Sequence, residues 1–232
     1  MTAPTVSADD LRVRDAVLQE LDWDSQFDAA TVGVSARNGA VTLTGSIDTY
    51  AAKLAAERAA KRIRGVRAVA NDIAVRLRQP RGDEDIARDA AHELARRPTV
   101  PTSVQAAVHQ GTVTLTGTVL TLFQRAIAEN AMAHIPGVHQ VINRLQIAVG
   151  ISPDVERRLA QAIRRNGDVM SRGVQATVAG GTVTLKGTVP TWLAREAAAT
   201  AAMHAPGISH IANELTVPDP DAEPDNVEQD LC

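Results

Sequence analysis

Aromatic residues are nearly missing from this chain: only 2% of 232 residues are Phe, Trp or Tyr. Any hydrophobic core must therefore be built from Val, Ile, Leu and Ala. The single cysteine, Cys232, stands at the end of the sequence, so no internal disulfide can form and nothing marks an oxidising compartment. No stretch approaches the ~18 apolar residues that a membrane-spanning helix needs. The opening MTAPTVSADDLRVRDAV lacks a basic start followed by an apolar run, so the expectation is no secretory signal and a cytoplasmic, at most peripherally membrane-associated, protein.

Catalytic and metal-binding patterns are equally scarce. There is no HExxH, G-x-S-x-G, Walker or G-x-G-x-x-G motif, and Cys232 has no structured base beside it. The six histidines show no ligand spacing. His134 and His204 fall near the end of one repeated helix, where a cation suits the helix dipole. Asp9, Asp10, Asp15 and Glu20 read as a solvated helix face. No nucleophile, base and oxyanion donor come together, so the chain is expected to be neither an enzyme nor a carrier of a metal or cofactor. Six of the 27 acids lie after Val217; the rest of the chain has 24 basic and 21 acidic residues, a net of +3. With so small an excess and no interleaved aromatics, nucleic acid is not an expected partner.

What the sequence does contain is a threefold repeat. VTLTG at Val41–Gly45 returns as VTLTG at Val113–Gly117 and VTLKG at Val183–Gly187, with the glycines 72 and then 70 residues apart. The same offsets carry Gly65-Val66 onto Gly137-Val138 and Gly207-Ile208, and Asn71 onto Asn143 and Asn213. Each copy opens with an i, i+4, i+8 apolar stripe: Val13, Val17 and Leu21 in the first, Val155, Leu159 and Ile163 in the third. Copy two uses Ile86, Ala90 and Leu94, one position out of register. Two strands of period-two alternation follow, joined by short Gly-containing turns. Thr49, Thr121 and Thr191 stand where a second helix would be capped. That helix is Ala-rich and is expected to stop at Gly65, Gly137 or Gly207. A third strand, Val69, Ile73 and Val75 in copy one, returns after the helix and should run parallel to the strand before it.

These residues predict an α+β chain of three tandem helix-strand-strand-helix-strand domains, each a mixed three-stranded sheet with two helices on one face. The expected limits are 8–76, 83–148 and 153–217, followed by a disordered acidic tail at 218–232. The links at 77–82 and 149–152 are short enough for a semi-rigid array.

In this order of elements, with the strand glycine, the Gly-Val pair and the following Asn, the chain resembles the BON domain family. The resemblance covers nearly everything but the tail. BON domains occur in bacterial osmotic-shock proteins, outer-membrane lipoproteins, and some channels and secretion components. The resemblance implies a stress-related protein that binds phospholipid surfaces or envelope components, or, for cytosolic members, a ligand or cation. Relatives of the osmotic-shock type are mostly exported and many carry a partner domain; neither a signal nor such a domain is visible here.

Two surfaces stand out. The second helix of copy one and its exit carry Lys53, Arg58, Lys61, Arg62, Arg64 and Arg67, offset only by Glu57. Such a face is either ordinary solvated surface or an attractor of anionic phospholipid, the latter at roughly 1 kcal/mol per charge. The helix start carries Tyr50 in copy one, Leu122 and Phe123 in copy two, and Trp192 and Leu193 in copy three. Those bulky residues either pack locally over the helix start or contact a partner or membrane. The expected partner is an anionic phospholipid surface or another envelope or cytosolic protein. A ligand or cation sensor and a holdase-like structural protein are the alternatives. Nothing in the sequence sets the oligomeric state.

Overall fold

The structure, a computed structural model, describes residues 7–24, 28–76, 81–148, 154–165 and 174–217. The tail at 218–232, with Cys232, and most of the two links at 77–82 and 149–152 lie outside the described residues. The fold is α+β, three repeats of helix, two strands, helix and third strand. The chain divides into two compact units, Met1–Gly117 with Ala126–Leu145, and Thr118–Arg125 with Gln146–Cys232, so the division passes through copy two.

The first unit begins with α1 (Ala8–Trp23), capped by the Ser7 hydroxyl, which accepts the Asp10 N–H at 3.0 Å. Val17 and Leu21 of its expected stripe are fully buried and Val13 partly so. Each full burial contributes on the order of 1.5–3 kcal/mol. Strands β1 (Val32–Arg37) and β2 (Ala40–Ile47) form an antiparallel hairpin through Asn38 and Gly39, both at positive φ, as a tight turn requires. Helix α2 (Tyr50–Arg62) lies beside α1 over the sheet. Its return strand is broken in two, β3 (Ala68–Asn71) and β4 (Ala74–Val75), both parallel to β2. The break falls at Asn71, whose side-chain oxygen accepts the Ile73 N–H.

Also in this unit are α3 (Asp83–Ala95), with Ile86 and Ala90 buried, and the β5 (Gln105–His109) to β6 (Thr112–Thr116) hairpin. The second unit holds β7 (Thr118–Val119). Helix α4 (Leu122–Ala133) begins in the second unit and ends in the first. Strand β8 (Gln140–Asn143) pairs parallel with β6, and β9 (Gln146–Ile147), in the second unit, pairs parallel with β7.

Copy three lies wholly in the second unit: α5 (Val155–Arg165), β10 (Gln175–Ala179), β11 (Thr182–Thr188), α6 (Trp192–Met203) and β12 (His210–Thr216). Here the return strand is unbroken and parallel to β11 over its whole length. Val155, Leu159 and Ile163 are buried against Val183, Leu185, Ala194, Ala198 and Ala202.

The VTLTG glycine is required by its surroundings. At Gly45 (φ 120°) a Cβ would collide with the Thr31 carbonyl, and at Gly117 (φ 120°) with that of Ser103. The Gly-Val pair, by contrast, does not cap the helix directly. Helix α2 ends at Arg62, and a further turn closed by the Val66 N–H on the Ile63 carbonyl places Gly65 at φ 93°.

Candidate functional site

Thr49 caps α2 by accepting the Ala52 N–H at 3.1 Å, and Thr121 and Thr191 do the same for Gln124 and Ala194. Gln124 returns its side-chain oxygen to the Leu120 N–H, one residue earlier than a capping box would use. On α2 the buried residues are Ala52, Ala55, Ala56, Ala59 and Ala60, a band wider than the expected stripe because α1 covers a second flank. Only the remaining arc is left for charge.

The six cations are therefore not equivalent. Lys53 is half-buried, and its backbone carbonyl accepts the Asn71 side-chain amide at 2.9 Å. Lys61 pairs with Glu57 at 2.6 Å. Arg62 reaches across to Glu20 of α1 through Nε and one terminal nitrogen, at 3.1 and 2.7 Å. Glu57 is thus not the only offsetting acid, and Glu20 is more than a solvated carboxylate. Sequence spacing within α2 could not show a partner that arrives from another helix. Arg58, Arg64 and Arg67 are exposed and make no ion pair among the described residues.

Arg64 and Arg67 lie past the helix end, beside the β1–β2 turn, and border an open cleft of about 560 Å³ together with Arg12, Asn38 and Asp10. Arg67 is fixed there: its N–H donates to the Gly39 carbonyl at 2.8 Å, and its methylenes lie over Gly39. Asp10, only 5% exposed, accepts the Gly39 N–H at 3.3 Å. Hydrogen bonding at Ser7, aided by the turn's backbone amides, holds its carboxyl below the usual aspartate range. Copy two repeats the device: the Asp83 carboxylate accepts the N–H groups of Gln110 and Gly111 at 2.7 and 2.9 Å, which lowers its pKa. Asp10 was expected to be solvated helix surface. Both aspartates clamp the first helix to the hairpin.

The aromatic positions divide as well. Tyr50 is half-buried against copy two; burial pushes its phenol up, an effect opposed by a hydrogen bond with the Val141 backbone and reinforced by Glu129 and Glu57. In the second unit Leu122 packs on the core of copy three, and the Phe123 ring lies 3.9 Å from that of His204. Trp192 and Leu193 remain 67% and 64% exposed, with the Arg195 guanidinium 5.3 Å from the indole centre.

The repeated Asn ties strand to helix. Asn71 donates to Lys53 O and to Glu57, Asn143 donates to Glu129 at 2.9 Å, and Asn213 donates to Arg195 O at 3.3 Å. His134 bonds the Asn130 carbonyl at 2.8 Å, in keeping with a place at a helix end. Among the described residues no group of three His, Cys, Asp or Glu is placed to hold a metal ion, and no helix is long and apolar enough to cross a membrane.

The model of a family described as the BON domain matches this chain three times, at residues 9–76, 82–149 and 152–219. No curated protein matches it. Among solved structures, the C-terminal domain of CdsD, the structural protein of the type III secretion system of Chlamydia trachomatis, is 16% identical. That match covers 88% of this chain and 96% of that domain, at a TM-score of 0.25. A second structure of CdsD has the same identity and TM-score and is covered to 91%.

Proposed function

Because the chain belongs to the BON domain family, we propose that it is a non-enzymatic binding protein whose first copy engages an anionic phospholipid surface of the cell envelope. The family consists of non-catalytic binding domains, and its members are known for binding phospholipids and for envelope and stress roles. The observation that carries the reading is the set of exposed cations Arg58, Arg64 and Arg67, which make no ion pair among the described residues. Arg64 and Arg67 stand past the end of α2 beside a cleft that also carries Arg12, itself paired with Asp9 at 3.2 Å, and the buried Asp10. Each cation near an anionic membrane adds roughly 1 kcal/mol of attraction, and salt weakens it.

The experiment is co-sedimentation with anionic and with neutral vesicles across a salt series. Binding to anionic vesicles alone, fading as salt rises, supports the proposal. Absence of binding at low salt refutes it and turns attention to a soluble ligand or a protein partner.

A further inference from the structure

We infer that the groove between α5 and α6 of copy three binds a small amphipathic carboxylate, whose acid group takes the place of a glutamate that the other two copies supply themselves. The inference goes beyond the lipid reading: it concerns another copy, another face of the fold and a soluble ligand.

The groove has a volume of about 320 Å³, at the lower end of the range for small-molecule sites. Leu159, buried, and Ala162 and Ala201, half-buried, give it an apolar floor, and the exposed Arg158, Arg165 and His204 stand along it. Arg158 and Arg165 are seven residues apart, so they share one face of α5. Neither makes an ion pair among the described residues, and no described acid lines the groove.

The same place is filled differently in the other copies. Allowing for the one-residue shift of the second, the repeat offsets carry Glu20 and Glu93 onto Ala162, and Arg62 and His134 onto His204. In copy one Glu20 reaches Arg62 at 2.7 Å and joins the two helices. In copy two Glu93 lines the corresponding groove beside Asp89 and His134, and is paired with Arg97 at 3.1 Å. Copy three alone has a methyl group there, and it has Arg158 where copies one and two have Ala16 and Asp89. The exchange removes a carboxylate, leaves room where it stood and adds a cation.

A guanidinium binds a carboxylate through charge-assisted hydrogen bonds, and the apolar floor beside it selects an acid with a hydrocarbon body over an inorganic anion. The negative end of the α6 dipole, roughly half a charge, opposes an anion here. Two of its last carbonyls are already engaged, however: those of Ala201 and Ala202 accept the His204 and Ala205 N–H groups. Two full positive charges outweigh the remainder.

The test is two-dimensional amide NMR on the isotope-labelled full chain, titrated with octanoate, octanol and octyltrimethylammonium, each below the concentration at which it aggregates. Octanoate should saturate and move the amides of Arg158, Ala162, Ala201 and His204; octanol should bind more weakly, and the cation not at all. R158Q/R165Q changes only exposed side chains and should weaken octanoate about ten-fold, as for loss of two surface ion pairs, without affecting octanol. Ala162→Glu restores the residue of the other copies and should abolish octanoate binding, with a thermal midpoint no lower than that of the native protein.

Absence of saturable shifts with octanoate overturns the inference, as do equal shifts with octyltrimethylammonium. Octanoate binding left intact by Ala162→Glu or by R158Q/R165Q also overturns it. Movement of these amides by anionic vesicles but not by octanoate does so too, and assigns the groove to a membrane. The cations of copy one are tested by vesicle co-sedimentation alone, so the two readings fail separately.

Discussion

Replacing Arg64 and Arg67 together with Gln removes two exposed cations that make no ion pair among the described residues, while leaving Gln at 67 long enough to keep some of its packing over Gly39. At roughly 1 kcal/mol per charge, affinity for anionic vesicles should fall by about 2 kcal/mol, or about thirty-fold, at low salt. The control is E20Q/R62Q, which removes an ion pair whose two members are 32% and 58% exposed. That change leaves net charge unaltered, and a surface pair of this kind contributes only about 0–1 kcal/mol to stability. The control should bind vesicles as the native protein does. Both comparisons belong in co-sedimentation with a salt series, because screening tightens from about 10 Å at 0.1 M to about 3 Å at 1 M and should erase the difference. Equal losses in the two variants, or none in R64Q/R67Q, would refute the assignment of attraction to these cations. A loss that persists at high salt would refute its electrostatic basis.

Gly45→Ala should destabilise the first repeat by about 2 kcal/mol or more, because φ is 120° and the Thr31 carbonyl blocks the new methyl group; thermal unfolding measures it, and an unchanged midpoint would contradict the close approach. Asp83→Asn should lower the melting temperature at neutral pH. The folded-state pKa of Asp83 is depressed, so its stabilisation is complete above the unfolded value of about 3.9 and is lost as pH falls through the folded one. Native and variant midpoints should therefore converge in acid, and a gap that stays constant with pH would argue against the clamp. Deleting 218–232 removes six acids and should tighten binding to anionic vesicles if the tail competes for the basic end; unchanged binding would show that it does not.

Most of the architecture was legible because one pattern was written three times. The strand glycine, the capping threonines and the alanine band each recur at fixed offsets, and each has a local cause: a backbone crossing, an orphan N–H, a helix close to a sheet. Long-range pairings were not legible. Asp10 and Asp83 look like ordinary first-turn acids, and only the approach of a hairpin some thirty residues away makes them clamps. The signal available was their equivalence between copies, hidden by the one-residue shift of the second. Glu20 likewise acquires Arg62 only when α1 and α2 lie side by side. The aromatic positions were found as a set, but sequence could not tell which of them a following copy would cover.

The Asn that joins strand to helix has a consequence for anyone who would recombine these repeats. In copies one and two its amide meets a glutamate, Glu57 or Glu129, whereas copy three has Ala199 at that position and Arg195 reaching the strand carbonyls at Asn213 and Leu215 instead. Copy three thus holds its return strand without the acid, through the arginine whose counterparts are Lys53 and Arg125. A chimera grafting α6 onto the first sheet would import the arginine and lose the acid, leaving the shared Asn with only part of its native set of partners. The helices are thus private to their own sheets despite a common outline, and a working hybrid would have to exchange helix and return strand as one piece.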